Sequence, residues 1–284
     1  MKQTGLVLEG GGSRGVYTGG VLRLLMENDI YIPYVIGVSA GACNASSYIS
    51  RQMDRNRQTT IDYADHPEYL SFRNWWKQRQ LFGMDFIFDI LPNELVPFDF
   101  DTFNQAKEEF VVGTTDCHTG NTLFYRKSER ADDMLTILRA SSSLPLVAPV
   151  VQYDGFDLMD GGITAPIPIK QSIKDGNKKN VVVLTQNRGY IKKPQSFIWY
   201  IKRKYGQYEG LIRAIERRHQ VYNDTLQYLF EEEKKGNVFI IAPTEKLQVG
   251  RMERDKEKLT YLYEQGYQDS KTLLEPLKEF LSEA

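Results

Sequence analysis

The chain is expected to adopt an α/β fold of three layers, α/β/α, around a mostly parallel central sheet, with a helical C-terminal extension. Three observations lead there. Short apolar runs (Leu6-Val7-Leu8, Val35-Ile36, Val181-Val182-Val183-Leu184 and Val238-Phe239-Ile240-Ile241) recur along the sequence and read as buried strands. The first two end in glycine turns that open amphipathic helices over residues 15–28 and 41–53, a strand–turn–helix pattern that favours a parallel sheet covered on both faces. After Pro243 the chain is highly charged and helical in period, with Leu259, Leu262, Tyr263 and Tyr267, then Leu273, Leu274, Leu277 and Leu281, as docking stripes.

Between these landmarks, residues 54–71 are polar and read as loop. An aromatic stretch follows: Phe72, Trp75, Trp76, Phe82, Phe86, Phe88, Phe98 and Phe100. It suits anchors that pack a cap onto the core, or the wall of an apolar cleft. Residues 110–115 and 121–125 read as paired strands with a turn between them, 131–140 as a helix and 156–159 as a strand.

The chain has 284 residues, enough for one large α/β domain. Its formal net charge is −1 with both signs mixed, so no global field favours nucleic acid. Two cysteines, Cys43 and Cys117, are too few for a disulfide framework. Met1-Lys2-Gln3-Thr4 leads at once into the first strand and no 18-residue apolar run occurs, so neither a signal peptide nor a membrane span is expected. A cytoplasmic protein that can visit membranes fits best. One stretch bears on that visit. Over residues 188–219, nine Lys and Arg face only Glu209 and Glu216 and alternate with Phe197, Trp199, Tyr200, Tyr205 and Tyr208. Such a segment can contact an anionic bilayer, and it can equally be a solvated helical face.

Two glycine motifs carry the chemistry. Gly37-Val38-Ser39-Ala40-Gly41 matches G-x-S-x-G, in which a serine sits on a sharp strand-to-helix turn with its hydroxyl projecting from the strand end. Glu9-Gly10-Gly11-Gly12-Ser13-Arg14-Gly15 closes the first strand and leaves N–H groups uncovered by side chains, a site for an oxyanion or a phosphate. Gly10, Gly12 and Gly15 also fit the dinucleotide fingerprint. That reading needs an acidic residue at the end of the second strand, where Gly37 runs straight into Ser39, and Asp29 precedes the strand.

A serine nucleophile needs a base. His66 and His118 lie in polar turns and His219 in the basic stretch; His219 after Asp160 has the chain order of an α/β-hydrolase triad. Asp160, at the end of an apolar strand and before Gly161-Gly162, is the other candidate: burial would raise its basicity enough to accept a serine proton directly. Asp-Gly-Gly is also an ordinary turn.

Glu9–Gly15, Gly37–Gly41 and Asp160-Gly161-Gly162, in this order, resemble the patatin-like phospholipase family over residues 5–185, and Arg139-Ala140-Ser141-Ser142-Ser143-Leu144-Pro145 resembles the segment upstream of its aspartate. Glu9 departs from the aspartate common there. The resemblance implies a serine lipid acyl hydrolase with a Ser–Asp dyad, requiring no cofactor and no metal. It implies Ser39 as nucleophile and Asp160 as proton acceptor. Gly10, Gly11, Gly12 and Arg14 would form the oxyanion hole, with Gly15, Gly37, Gly41, Gly161 and Gly162 in support. Residues 5–185 would form the catalytic domain. Residues 186–284 would add a core strand, the basic segment and the helical extension. A lipid acyl ester is the implied substrate. The rival readings are a non-catalytic lipid-binding or regulatory module of the same fold, and a carboxylesterase with a Ser-His-Asp triad through His219.

Overall fold

The structure, a computed structural model, describes residues 3–69, 81–196 and 198–283. Phe72, Trp75, Trp76 and Phe197 lie outside the described residues. The described strands are β1 (Thr4–Leu8), β2 (Tyr34–Gly37), β3 (Glu109–Asp116), β4 (Thr122–Arg126), β5 (Val151–Tyr153), β6 (Phe156–Asp160), β7 (Lys179–Val183) and β8 (Val238–Ile241). They form one sheet in the order β5-β6-β3-β2-β1-β7-β8, with β4 also on β3. The pairs β1–β2, β1–β7, β2–β3 and β7–β8 are parallel, whereas β4 and β6 join β3 antiparallel.

Six helices matter for the site: α1 (Val16–Glu27), α2 (Ala40–Ile49), α3 (Met134–Ser141), α4 (Glu209–Lys234), α5 (Lys256–Thr272) and α6 (Leu274–Ser282). Strand alternation sorts them into layers. Leu6, Leu8, Val35, Val181 and Val183 pack into one core with residues of α1, α2, α3, α5 and α6. Val7, Ile36, Val182 and Ile240 point the other way, against Tyr222, Leu226 and Leu229 of α4. Each Leu or Val so enclosed stabilises the fold by about 1.5–3 kcal/mol, which is why the central strands are apolar without interruption.

The strand register decides where the site falls. Along β3, β2 pairs with residues from Glu109 to Val112 and β6 with residues from Thr114 to Asp116, while β4 spans Val111 to Thr115. Because β4 overlaps both, β2 and β6 share the opposite edge, end to end. Gly37 lies opposite Val112 and Asp160 opposite Thr114. The C-terminal ends of β2 and β6 therefore meet.

Most expected elements form where the sequence places them, including the β3–β4 pair and the C-terminal helices, in which Leu259, Leu262, Tyr263, Leu277 and Leu281 are buried. Residues 54–71 correct one expectation. Arg55–Arg57 and Gln58–Asp62 are helical, and their polarity misleads because Arg55 and Asn56 are themselves buried. The Asn56 side-chain amide donates to the Asn44 carbonyl, and the Thr59 and Thr60 hydroxyls donate back to the helix.

The C-terminal extension is docked by two glycines. A Cβ on Gly20 of α1 would stand 2.0 Å from the Tyr263 carbonyl oxygen, and one on Gly266 of α5 would stand 2.1 Å from that of Tyr17. No L side chain tolerates such contacts, so the two helices touch backbone to backbone. Gly266→Ala is expected to cost about 1–3 kcal/mol in chemical denaturation, as overpacking does. Gly250→Ala, whose Cβ meets nothing within 4 Å, is the control. Equal stability of the two variants would refute this docking.

Candidate active site

Ser39 sits between the end of β2 and the first residue of α2 with φ 54° and ψ −132°, a conformation in which an L side chain is strained by about 1–3 kcal/mol. Packing enforces it. A Cβ on Gly37 would lie 2.8 Å from the Ala42 nitrogen, and one on Gly41 would lie 2.6 Å from the Leu8 and Glu9 carbonyl oxygens. Only glycine at both positions lets the turn close against β1. The Ser39 N–H donates to Ser141 Oγ (2.9 Å), and that hydroxyl donates to the Gly113 carbonyl (2.7 Å).

The glycine loop after β1 lies directly against this turn. Gly10 is so near that a Cβ there would be 3.1 Å from Ser39 Cβ, and Gly15 packs on Ala40. The Gly10 N–H reaches the Pro166 carbonyl at 3.4 Å, a long bond. Among the described residues, the N–H groups of Gly11, Gly12 and Ala40 donate no hydrogen bond. Gly12 adopts φ +60°, and its carbonyl-side neighbour Ser13 donates its N–H to the Arg251 carbonyl (3.0 Å). Arg14 makes no salt bridge within the turn; its Nε donates to the Val249 carbonyl (3.2 Å), and it lines a cavity beside Ser39.

Glu9 clamps the loop from below. It is buried and accepts hydrogen bonds from the Thr185 N–H (2.6 Å) and the Tyr222 hydroxyl (2.9 Å). Burial raises its carboxyl above the ordinary carboxylate range, against the pull of those two partners.

Asp160 ends β6 and is buried. Its Oδ1 accepts from the Gly162 N–H (2.7 Å), its N–H donates to the Ser143 carbonyl (2.9 Å), and its carbonyl accepts from Thr115 Oγ1 (2.8 Å). A Cβ on Gly161 would lie 2.0 Å from the Gly113 carbonyl oxygen, so this residue too must be glycine. Oδ2 is buried and has no hydrogen-bond partner among the described residues. Desolvation pushes the carboxyl up; Arg218, the nearby Ser39 hydroxyl, the Gly162 N–H and Arg251 pull it back, in that order. Ser39 and Asp160 line the same cavity, near enough for the serine hydroxyl to act on the carboxyl.

Two cavities meet at Ser39. One, of about 140 Å³, is walled by Phe82, Met84, Phe88, Leu91, Phe98 and Leu138. Three of the aromatic residues singled out in the sequence thus form a cleft wall, while Phe86 is buried in a small cluster with Leu91 and Val96, and Phe100 is exposed. The other cavity is polar and adjoins Glu9, the glycine loop and Asp160. No histidine lines either cavity among the described residues. His66 stacks on Phe86, His118 pairs with Asp157 (2.8 Å), and His219 lies beside Arg218 on α4 without reaching the site.

The basic stretch is not one face. Arg188, Lys202 and Arg213 are ion-paired with Glu233, Glu216 and Glu209, and Lys192 and Arg218 turn into the polar cavity. Lys193, Arg203, Lys204 and Arg217 remain outward. Sequence reasoning missed Ala40, Thr185, Tyr222, Lys192, Arg218 and Arg251 at the site. Ala40 was visible only as a member of the serine motif, and the signal that Lys192 and Arg218 carried pointed to a surface.

The profile of the patatin-like phospholipases matches residues 6–173. The chain belongs to this family. Residues 208–282 match a domain of unknown function, DUF6363. The uncharacterized protein YjjU of Escherichia coli is 27% identical over 256 residues, 85% of this chain and 69% of that one. Lysophospholipase NTE1 of Debaryomyces hansenii is 24% identical over 189 residues, 64% of this chain and 12% of that much longer one. The crystal structure of VipD from Legionella pneumophila has the same fold, with a TM-score of 0.51 at 12% identity, over 97% of this chain and 67% of its own. Family membership makes the chain one of the lipid ester hydrolases, and the sheet with helices on both faces is the fold expected of it. No helix among the described residues is long and apolar enough to cross a membrane.

Two stability measurements probe the site without substrate. Ser39→Gly is expected to exceed Ser39→Ala by about 1 kcal/mol, since glycine alone accepts the turn without strain and loses part of that gain to chain entropy. Matching stabilities would mean the turn is unstrained. Burial raises the pKa of Asp160 in the folded state, so its contribution to stability is full below the ordinary carboxylate range and is lost as pH rises through the raised value. Asp160→Asn should therefore gain stability relative to wild type with rising pH across that window. A difference independent of pH would show that the buried carboxylate costs nothing.

Proposed function

We propose that the protein is a serine lipid acyl hydrolase in which Ser39 and Asp160 act as a dyad. The observation that carries this reading is a strained, buried serine on the same cavity as a buried carboxylate whose Oδ2 has no hydrogen-bond partner among the described residues. A group in that position accepts a proton readily, because desolvation favours its neutral form.

Ser39 Oγ attacks the ester carbonyl while Asp160 Oδ2 takes its proton. The tetrahedral oxyanion rests on the free N–H groups of Gly11 and Gly12, with Ala40 at the positive end of α2 as a further donor. Asp160 then returns the proton to the departing alcohol, and afterwards removes one from the water that attacks the acyl-enzyme. Each proton goes out and comes back through one carboxylate, so no histidine is required. Arg14 holds the loop through Val249 and faces the polar cavity. The apolar cavity receives the acyl chain, with Phe82, Phe88 and Phe98 as its wall.

In this reading residues 5–185 carry the chemistry, and residues 186–284 close the site from behind. Contact with an anionic bilayer falls to the outward Lys193, Arg203, Lys204 and Arg217 around the exposed Trp199 and Tyr200.

Intact-mass labelling with a fluorophosphonate lipid analogue tests the nucleophile: one adduct is expected on wild type and none on Ser39→Ala. Turnover of a lipid ester should fall at least about 100-fold in Asp160→Asn and persist in His219→Ala. The reverse pattern would replace the dyad with a histidine triad, and an unlabelled wild type would leave a lipid-binding module.

A further inference from the structure

The polar cavity on the far side of Ser39 from the acyl cleft is lined by four cationic side chains from four separate segments. Arg14 follows the glycine loop, Lys192 the end of β7, Arg218 belongs to α4, and Arg251 lies in the loop before α5. Three of the four come from beyond residue 173, where the family profile ends. None makes an ion pair with a carboxylate among the described residues. Their contacts are neutral: Arg14 Nε to the Val249 carbonyl (3.2 Å), Arg218 Nε to the Gly162 carbonyl (2.7 Å), and Lys192 Nζ over the Tyr222 ring (4.6 Å from its centre).

Two carboxylates face this group, Glu9 and Asp160. Glu9 is already engaged by Thr185 and Tyr222, and burial drives both acids toward their neutral forms. The cavity is accordingly lined by four partly buried cationic side chains against two carboxylates. The cost is visible in the side chains themselves: burial and mutual repulsion lower Lys192 to about 7 and Arg218 to about 10. Clustered, unpaired cations are costly to bury unless an anion joins them.

We propose that this cavity is an anion subsite, and that it takes the phosphate group of an acyl ester whose carbonyl lies at Ser39. The proposal rests on the hydrolase reading above and names its substrate class: acyl esters with a compact anionic head. Geometry sets that choice. Ser39, Gly12 and Leu144 line both cavities, so a molecule with its chain in the apolar one and its anion in the polar one presents the ester between them, at Ser39. The polar cavity is small, about 20 Å³, where a single water needs about 10–15 Å³. It suits the oxygens of one compact anion and excludes a bulky head group.

The test compares a 1-acylglycerol 3-phosphate with the matching 1-acylglycerol, both presented in neutral detergent micelles. Wild type is expected to prefer the phosphorylated ester by at least about 10-fold in kcat/KM, the scale of one or two charge-assisted hydrogen bonds. Arg251→Gln and Lys192→Gln should each reduce that preference in kcat/KM about 10-fold, and Lys192→Arg should restore it. A merely structural role would depress both esters alike, which overturns the proposal, as does equal use of the two esters by wild type. A binding arm does not depend on turnover. In calorimetry with full-length Ser39→Ala, glycerol 3-phosphate should bind, and binding should vanish when Lys192→Gln and Arg251→Gln are added. Binding of inorganic phosphate without glycerol 3-phosphate would assign the site to free phosphate and overturn the head-group reading. Glycerol 3-phosphate binding by a chain that hydrolyses neither ester would uphold the anion subsite and remove the hydrolase function. Hydrolysis of the neutral ester with no phosphate preference and no binding would do the opposite.

Discussion

One edge of β3 serves two strands in succession, and the site depends on that sharing. β2 runs along the first half of the edge and stops at Gly37; β6 arrives from the opposite direction and stops at Asp160, two positions further along. The chain must leave the sheet at both ends because neither strand can continue into the other. It does so through glycine turns, one carrying Ser39 and the other following Asp160. Hydrogen-bond register, which is fixed to the residue, thus sets the separation of two side chains that are 121 positions apart in the sequence. Ser141 and Ser143 hold the two turns to each other through backbone contacts: the first receives the Ser39 N–H and grips Gly113, and the carbonyl of the second receives the Asp160 N–H.

The strain and the buried charge collected at this junction are supported by the layers on either side. Ser39 keeps a positive φ because β1 and α2 close over Gly41, and β1 is enclosed by apolar side chains on both faces. Asp160 keeps an unpartnered oxygen because Gly161 lies against the Gly113 backbone, too close for the strand end to swing outward. The active-site geometry is therefore a property of the sheet rather than of a flexible loop, which is the condition for holding reacting groups in place before the substrate arrives.

How much of this was readable in the sequence follows from the range of each interaction. The glycine turns were legible because strand, turn and helix lie within a few residues, and the requirement for glycine is local. The order of the apolar runs gave the layers. The partner of Ser39 was legible as a candidate only, since nothing in the sequence near Asp160 says that β6 ends opposite β2. Glu9 was visible as an oddity without a role; its partners Thr185 and Tyr222 lie 176 and 213 positions away. Arg55 and Asn56 read as loop because polarity normally means exposure, and here both are buried. Arg218 and Lys192 were read as parts of a surface charge run. Their direction is fixed by the side of α4 that faces the sheet and by the loop after β7, and composition carries neither.

Arg218, together with Arg251, also connects substrate charge to the strength of the proposed base. Arg218 and Arg251 act on Asp160 through their charge and lower its proton affinity, against the rise that burial imposes. In the proposed mechanism Asp160 takes the serine proton, so the cations oppose that first step as long as their field is uncompensated. An anion seated between them neutralises that field at short range in a water-poor cavity, where such effects are strong. Asp160 is then left with the raised proton affinity that desolvation alone confers. On this proposal, the same contact that holds an anionic substrate strengthens the base that deprotonates Ser39. A neutral ester would meet a weaker base in an identical geometry. Selectivity would then arise in the chemical step as well as in binding, without any movement of the fold.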